Sequence, residues 1–110
     1  MEYLSRQEEM VLLTVHRLEE DSSLVEIRRH LNDSTDKRWS MSSVYIPLDR
    51  LKNTGLLRIT VGDPTPRRGG RAKKFYHLTE KGIKELLRVR KVQQTMWGGL
   101  RDLSIGTRNE

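Results

Sequence analysis

The sequence contains no cysteine, which excludes a disulfide framework and any thiolate metal site and suits a reducing compartment. It has no apolar run long enough to cross a bilayer and no hydrophobic leader at its start, so neither a membrane partner nor export is expected. Aromatic residues make up only 5%, and hydrophobic residues (35%) scarcely outnumber charged ones (33%). A core drawn from 110 such residues is small, and part of the apolar surface is expected to need a partner. The histidines His16, His30 and His77 are too far apart to suggest a metal site. There is also no phosphate-cradling glycine loop between a strand and a helix, no nucleophile elbow and no carboxylate pair in an apolar setting. No catalytic constellation remains, so neither an enzyme nor a bound metal or cofactor is expected.

What is present is charge, unevenly placed. Residues 1–36 hold four Lys/Arg against nine Asp/Glu, a net of −5; residues 37–110 hold seventeen against six, a net of +11. A chain charged only for solubility does not need that division, whereas a face that meets a polyanion does.

Local signals then order the elements. Ser5-Arg6-Gln7-Glu8 is a capping box opening a first helix with Val11, Leu12, Val15 and Leu18 on its buried stripe. Met10 and Leu13 lie off that stripe. Glu19 to Ser22 ends the helix. A second box, Ser23-Leu24-Val25-Glu26, opens a helix buried through Leu24, Ile27 and Leu31; Asn32 to Lys37 reads as a loop and Arg38-Trp39-Ser40 as a short strand. A third helix starting near Ser42 or Ser43 buries Val44, Leu48 and Leu51. That start keeps Pro47 in the first turn, where its missing N–H is tolerated, and Gly55 is the left-handed stop. Leu56 to Val61 and Lys73 to Leu78 read as antiparallel strands, joined by a loop stiffened by Pro64 and Pro66 and tipped by Gly69-Gly70. Thr79 caps a last helix. The expected fold is mostly α with a small β-hairpin (α+β): a winged helix-turn-helix over residues 1–79, a long C-terminal dimerisation helix over 80–97 and a flexible tail over 98–110.

That order places a helix N-terminus and a cationic loop on one side. Ser40, Ser42, Ser43 and Tyr45 stand at the start of the third helix, where hydroxyls and free N–H groups make good phosphate contacts; the bland alternative is capping and packing. Arg67, Arg68, Arg71, Lys73 and Lys74 place five positive charges within eight residues around Gly69 and Gly70. They read as a wing gripping double-stranded DNA rather than as a solvated turn. Arg50 and Lys52 either reach phosphates or pair with Asp49 and the acidic first helix, and Arg28 and Arg29 meet either flanking backbone or solvent.

Val44-Tyr45 with Leu48-Asp49-Arg50-Leu51, Gly55-Leu56-Leu57, Arg67-Arg68-Gly69-Gly70-Arg71 and Phe75-Tyr76-His77-Leu78-Thr79 leading to Gly82 together resemble the PadR family of bacterial transcriptional regulators. The resemblance spans Ser5 to about Leu100. Leu24-Val25 stands where many members carry Tyr-Gly, and Pro47 sits one place later than the usual proline. The family implies a winged helix dimerised by C-terminal helices, of which one fits here, as in the short branch.

The last helix carries more apolar side chains than one stripe needs. Val89, Val92, Met96 and Trp97 are expected beyond the globule, forming with Met10, Leu13 and Leu86 the interface of a homodimer. The resemblance adds a sharper reading, in which Trp97 lines a pocket for a small aromatic or cationic effector at that seam. The whole reads as a cytoplasmic, nucleoid-associated homodimeric repressor on an inverted-repeat operator, released by an effector. The rival from another class is a winged-helix interaction module whose basic face docks an acidic protein.

Overall fold

The computed structural model describes residues 2–62 and 73–98. Its elements run α1 (Arg6–Leu18), a 3₁₀ turn (Glu19–Asp21), α2 (Leu24–Ser34), α3 (Met41–Asn53), β1 (Leu57–Val61), β2 (Lys74–Leu78) and α4 (Glu80–Trp97).

Each helix begins where a side chain satisfies its orphan N–H groups. Ser5 Oγ accepts from Glu8 N–H (3.1 Å) and Glu8 Oε1 accepts from Ser5 N–H (2.9 Å), the complete capping box. Ser23 Oγ accepts from Glu26 N–H, but without the reciprocal bond. Thr79 Oγ1 takes the Gly82 N–H (3.0 Å) and donates to the Gly55 carbonyl (2.6 Å), tying the start of α4 to the end of α3. Gly55 ends α3 with φ +83°. Its N–H reaches the Lys52 carbonyl (3.1 Å) and Leu56 N–H reaches the Leu51 carbonyl (2.9 Å), the paired bonds of a Schellman stop.

Three expectations about the middle of the chain need correction. First, α2 runs on to Ser34, into the first half of the Asn32 to Lys37 stretch read as a loop, and only Thr35 to Lys37 stay outside it. Second, Arg38-Trp39-Ser40 forms no strand. Trp39 is wholly buried in the core; its N–H donates to Asn32 Oδ1 (2.7 Å), its indole N–H to Thr35 Oγ1 (3.1 Å), and its carbonyl accepts from Arg28 Nε (2.8 Å). Those bonds hold the segment in the gap between α2 and α3 without a strand partner. Third, α3 is capped by Ser40, not Ser42 or Ser43. Ser40 Oγ accepts from Ser43 N–H (3.1 Å) and the Ser40 carbonyl from Val44 N–H (3.2 Å). Pro47 therefore lies inside the helix and beyond its first turn, and cannot supply an N–H to the Ser43 carbonyl four residues back.

The core gathers one stripe from each of the first three helices: Val11, Leu12 and Val15; Ile27 and Leu31; Val44, Leu48 and Leu51. Trp39, Leu56, Leu57 and Tyr76 complete it. β1 and β2 pair antiparallel with Leu57 opposite Leu78, Ile59 opposite Tyr76 and Val61 opposite Lys74. Alternation turns the first two pairs toward the helices and Arg58, Thr60, Phe75 and His77 away, while Val61 and Lys74 at the open end are exposed. Ser22, fully buried, donates its hydroxyl to the Tyr76 carbonyl and accepts the Tyr76 N–H at its own carbonyl, which fastens the hairpin to the turn before α2. Among the described residues no helix is long and apolar enough to cross a membrane.

Candidate nucleic-acid interface

The two helices α2 and α3, joined through the Trp39 segment, form a helix-turn-helix, and the hairpin stands beside it. Between the N-terminus of α2, the outward side of α3 and β2 lies a slot of about 310 Å³. Tyr45, Asp49 and Lys52 of α3 line it, facing Lys73, Lys74 and Tyr76 across from Val25. The fold thus brings Tyr45 to Lys73 and Lys74, two of the expected wing cations. Burial, followed by the nearby Tyr45 hydroxyl and the Asp49 carboxylate, raises the pKa of Tyr76 above its usual value, so its phenol stays neutral.

The serines divide their roles. Ser40 Oγ holds the helix cap, and Ser43 Oγ donates to the Ser40 carbonyl (2.9 Å). Ser42 is exposed, its hydroxyl 3.3 Å from that of Ser40. Tyr45 is 48% exposed.

Arg50, read as reaching either phosphates or the acidic first helix, turns its guanidinium to that helix. Its Nε lies 3.3 Å from the largely buried Glu8 carboxylate and its Nη2 lies 3.6 Å from Glu2. Arg50 follows Tyr45 by five residues, about 140° round the helix, which takes it off the slot and within reach of the α1 carboxylate. Arg28 is likewise taken up by the Trp39 carbonyl, and Arg29 pairs with Glu26. Lys52, by contrast, is exposed at the slot. The tip residues Arg67, Arg68, Gly69, Gly70 and Arg71 lie outside the described residues, as do Pro64 and Pro66.

Two exposed residues of this face were missed by sequence reasoning. Ile46 is 65% exposed and Val25 is also open to solvent. Ile46 had a signal: it sits about 170° from the middle of the Val44, Leu48 and Leu51 stripe. Val25 had none beyond following the α2 cap.

On the opposite side, α1 and α4 enclose a groove of about 500 Å³, lined by Leu13, His16, Leu78, Ile83, Leu86 and Leu87, with polar Glu9, Arg90 and Gln93. Leu13, Ile83 and Leu87 are exposed, whereas Met10 and Leu86 are half-buried against the core. Val89 corrects an expectation: it is only 6% exposed within the single chain, because α4 packs back along α1, with Gln93 bonding Glu9 (3.1 Å). Val92 is half-buried, while Met96 and Trp97 stand exposed beyond it. Trp97 does not line the groove. Among the described residues no cluster of His, Asp or Glu is placed to hold a metal.

A helix-turn-helix followed by a two-stranded wing, with a cationic slot at its second helix, defines a winged-helix DNA-binding regulator. The model of the transcriptional regulator PadR-like family matches residues 11–88, and the chain belongs to that family. A PadR-like transcription factor from Bacteroides fragilis is 25% identical, with 84% of each chain covered and a TM-score of 0.73. A PadR-like regulator from Bacillus cereus is also 25% identical, over 86% of this chain and 91% of that one, with a TM-score of 0.66. BpsR of Bordetella bronchiseptica, whose DNA binding is regulated by 6-hydroxynicotinic acid, shares the fold at 23% identity and a TM-score of 0.60, over 87% of this chain and 67% of its own. No curated protein matches the chain. The protein is a transcription regulator rather than an enzyme.

Proposed function

We propose that the chain is a cytoplasmic, nucleoid-associated homodimeric repressor that occupies an inverted-repeat operator. The observation that carries this reading is the slot where Tyr45, Lys52, Lys73 and Lys74 converge beside the exposed side of α3. In helix-turn-helix proteins the second helix enters the major groove. With α3 there, the serine-rich start of α3 and the wing lysines lie at the flanking phosphates. In the sequence Arg67, Arg68 and Arg71 add three positive charges shortly before Lys73 and Lys74, and we assign them to the same phosphate contacts.

Dimerisation is assigned to the α1–α4 face. Leu13, Ile83 and Leu87 leave an apolar surface open there, and Met96 and Trp97 continue it. Val89 belongs to the protomer's own packing, so the pairing surface is narrower than the apolar content of α4 suggested. Two-fold symmetry then sets half-sites about 34 Å apart, or a multiple of it.

An effector that releases DNA must bind the two states unequally. Trp97, exposed at the end of α4, is the proposed platform for a small aromatic or cationic molecule at the seam. Regulation of BpsR by 6-hydroxynicotinic acid supports the idea that this fold accommodates a small ligand.

The test is salt-dependent binding to duplexes selected from a random library, with sedimentation of the free protein. Neutralising Arg68 and Arg71 should lower the log–log salt slope by about 0.9 per lost phosphate contact. Leu13→Glu with Leu87→Glu, both at exposed positions, should give folded monomers that lose operator affinity. A chain that binds no duplex at low salt, or a double variant that stays dimeric, overturns the corresponding part.

A further inference from the structure

The outward side of α3 is apolar at the place where base-reading helices usually carry Arg, Asn or Gln. Between Met41 and Leu48 there is no Arg, Lys, Asn or Gln. Met41 is 41% exposed, Tyr45 48% and Ile46 65%. Ile46 lies opposite the buried stripe, one turn after Ser42 and on the same outward face. Asn53, at the far end of the helix, is held by Asp49 (3.4 Å).

An isoleucine so exposed, on a helix whose neighbouring side meets Lys52, Lys73 and Lys74 at the slot, is out of place unless its partner offers an apolar group among anions. A phosphate backbone has none. The major-groove edge of DNA has one, the C5-methyl of thymine. We propose that Ile46 reads a thymine methyl in each half-site, so that a thymine contact is a determinant of this regulator's specificity. The inference rests on the reading of α3 as the helix that enters the major groove. Hydroxyls of Ser42 and Tyr45 flank the contact and supply hydrogen bonds to neighbouring edges or phosphates.

Deoxyuridine tests this directly, because it pairs as thymidine does and lacks only the methyl. The best duplex selected from a random library is synthesised with thymidine and with deoxyuridine throughout, and titrated against the native protein and Ile46→Ala by fluorescence anisotropy. Ile46 is outside the core, so alanine leaves the fold intact, which the thermal midpoint verifies. The native protein should bind the deoxyuridine duplex about fourfold more weakly per contacted methyl. Ile46→Ala should lose a similar factor on the thymidine duplex and no longer distinguish the two, the non-additivity expected of a direct contact. Equal native affinity for both duplexes, or undiminished deoxyuridine sensitivity in Ile46→Ala, overturns the inference while leaving DNA binding through α3 in place. Failure to bind any duplex overturns both, and points to an acidic protein as the partner of this face.

Discussion

Gly82 sits in the first turn of α4 with its Cα against the backbone of Leu56, and alanine there should be the most damaging single-methyl change at a glycine of known surroundings. A Cβ at Gly82 would drive into the Leu56 carbonyl oxygen, with the Leu56 carbonyl carbon at 3.2 Å and Leu78 Cδ2 at 3.1 Å. The oxygen cannot yield, because it accepts the Thr79 N–H (3.2 Å) and belongs to the chain leaving the Gly55 stop. To make room α4 must lift, which breaks that bond and strains the Thr79 cap. Forcing a methyl into packed backbone costs about 1–3 kcal/mol, and losing a hydrogen bond adds about 1 kcal/mol. The helix preference for alanine over glycine returns about 1 kcal/mol. A net loss of about 1–3 kcal/mol corresponds to a midpoint lowered by roughly 5–20 °C. Gly55→Ala is the control. Its space is open, with only the flexible Lys81 side chain at 3.8 Å, so it loses only the left-handed strain of about 1–2 kcal/mol. Thermal unfolding followed by circular dichroism ranks the two. A Gly82→Ala midpoint equal to the native one, or above that of Gly55→Ala, would refute the close-approach argument.

The wing lysines and Arg50 should separate in a salt titration. Lys73→Ala and Lys74→Ala should each lower the log–log slope of DNA binding by about 0.9, whereas Arg50→Ala, paired with Glu8, should leave the slope unchanged. Trp39→Ala should lower stability by about 3–5 kcal/mol, read as a shifted urea midpoint, since the indole is fully buried and ties α2 to α3. Glu85 is held below the usual carboxylate range, chiefly by its hydrogen bonds to Arg88 (2.7 and 2.9 Å). A depressed folded-state pKa gives stability that is complete above the ordinary carboxylate value and lost as pH falls through the depressed one. Glu85→Gln should therefore flatten the acid limb of a stability–pH profile; an unchanged limb would assign the acid sensitivity elsewhere.

What the chain declares by itself is local. Ser5, Ser23, Thr79 and Gly55 mark helix ends because a cap or a left-handed stop involves residues within a few positions of each other. The buried stripes of α1, α2 and α3 follow from helical spacing, and the hairpin from β-branched runs separated by turn residues. Those signals, in that order, suffice for the winged-helix class and for DNA as the expected partner. What the tertiary structure decided depends on distance in sequence. Trp39 looked like strand because nothing local shows that Asn32, Thr35 and Arg28 bond around it. Arg50 and Lys52, two residues apart, were indistinguishable as DNA contacts until packing turned one to Glu8 and left the other at the slot. Val89 looked available to a second chain until α4 folded back along α1 and covered it. Ile46 shows the same division: its exposure is legible from angle alone, but the lysines at the slot on the neighbouring side of α3 arrive from β2, about 30 residues away. Helical periodicity says which way a side chain points, and only the packed chain says what stands there.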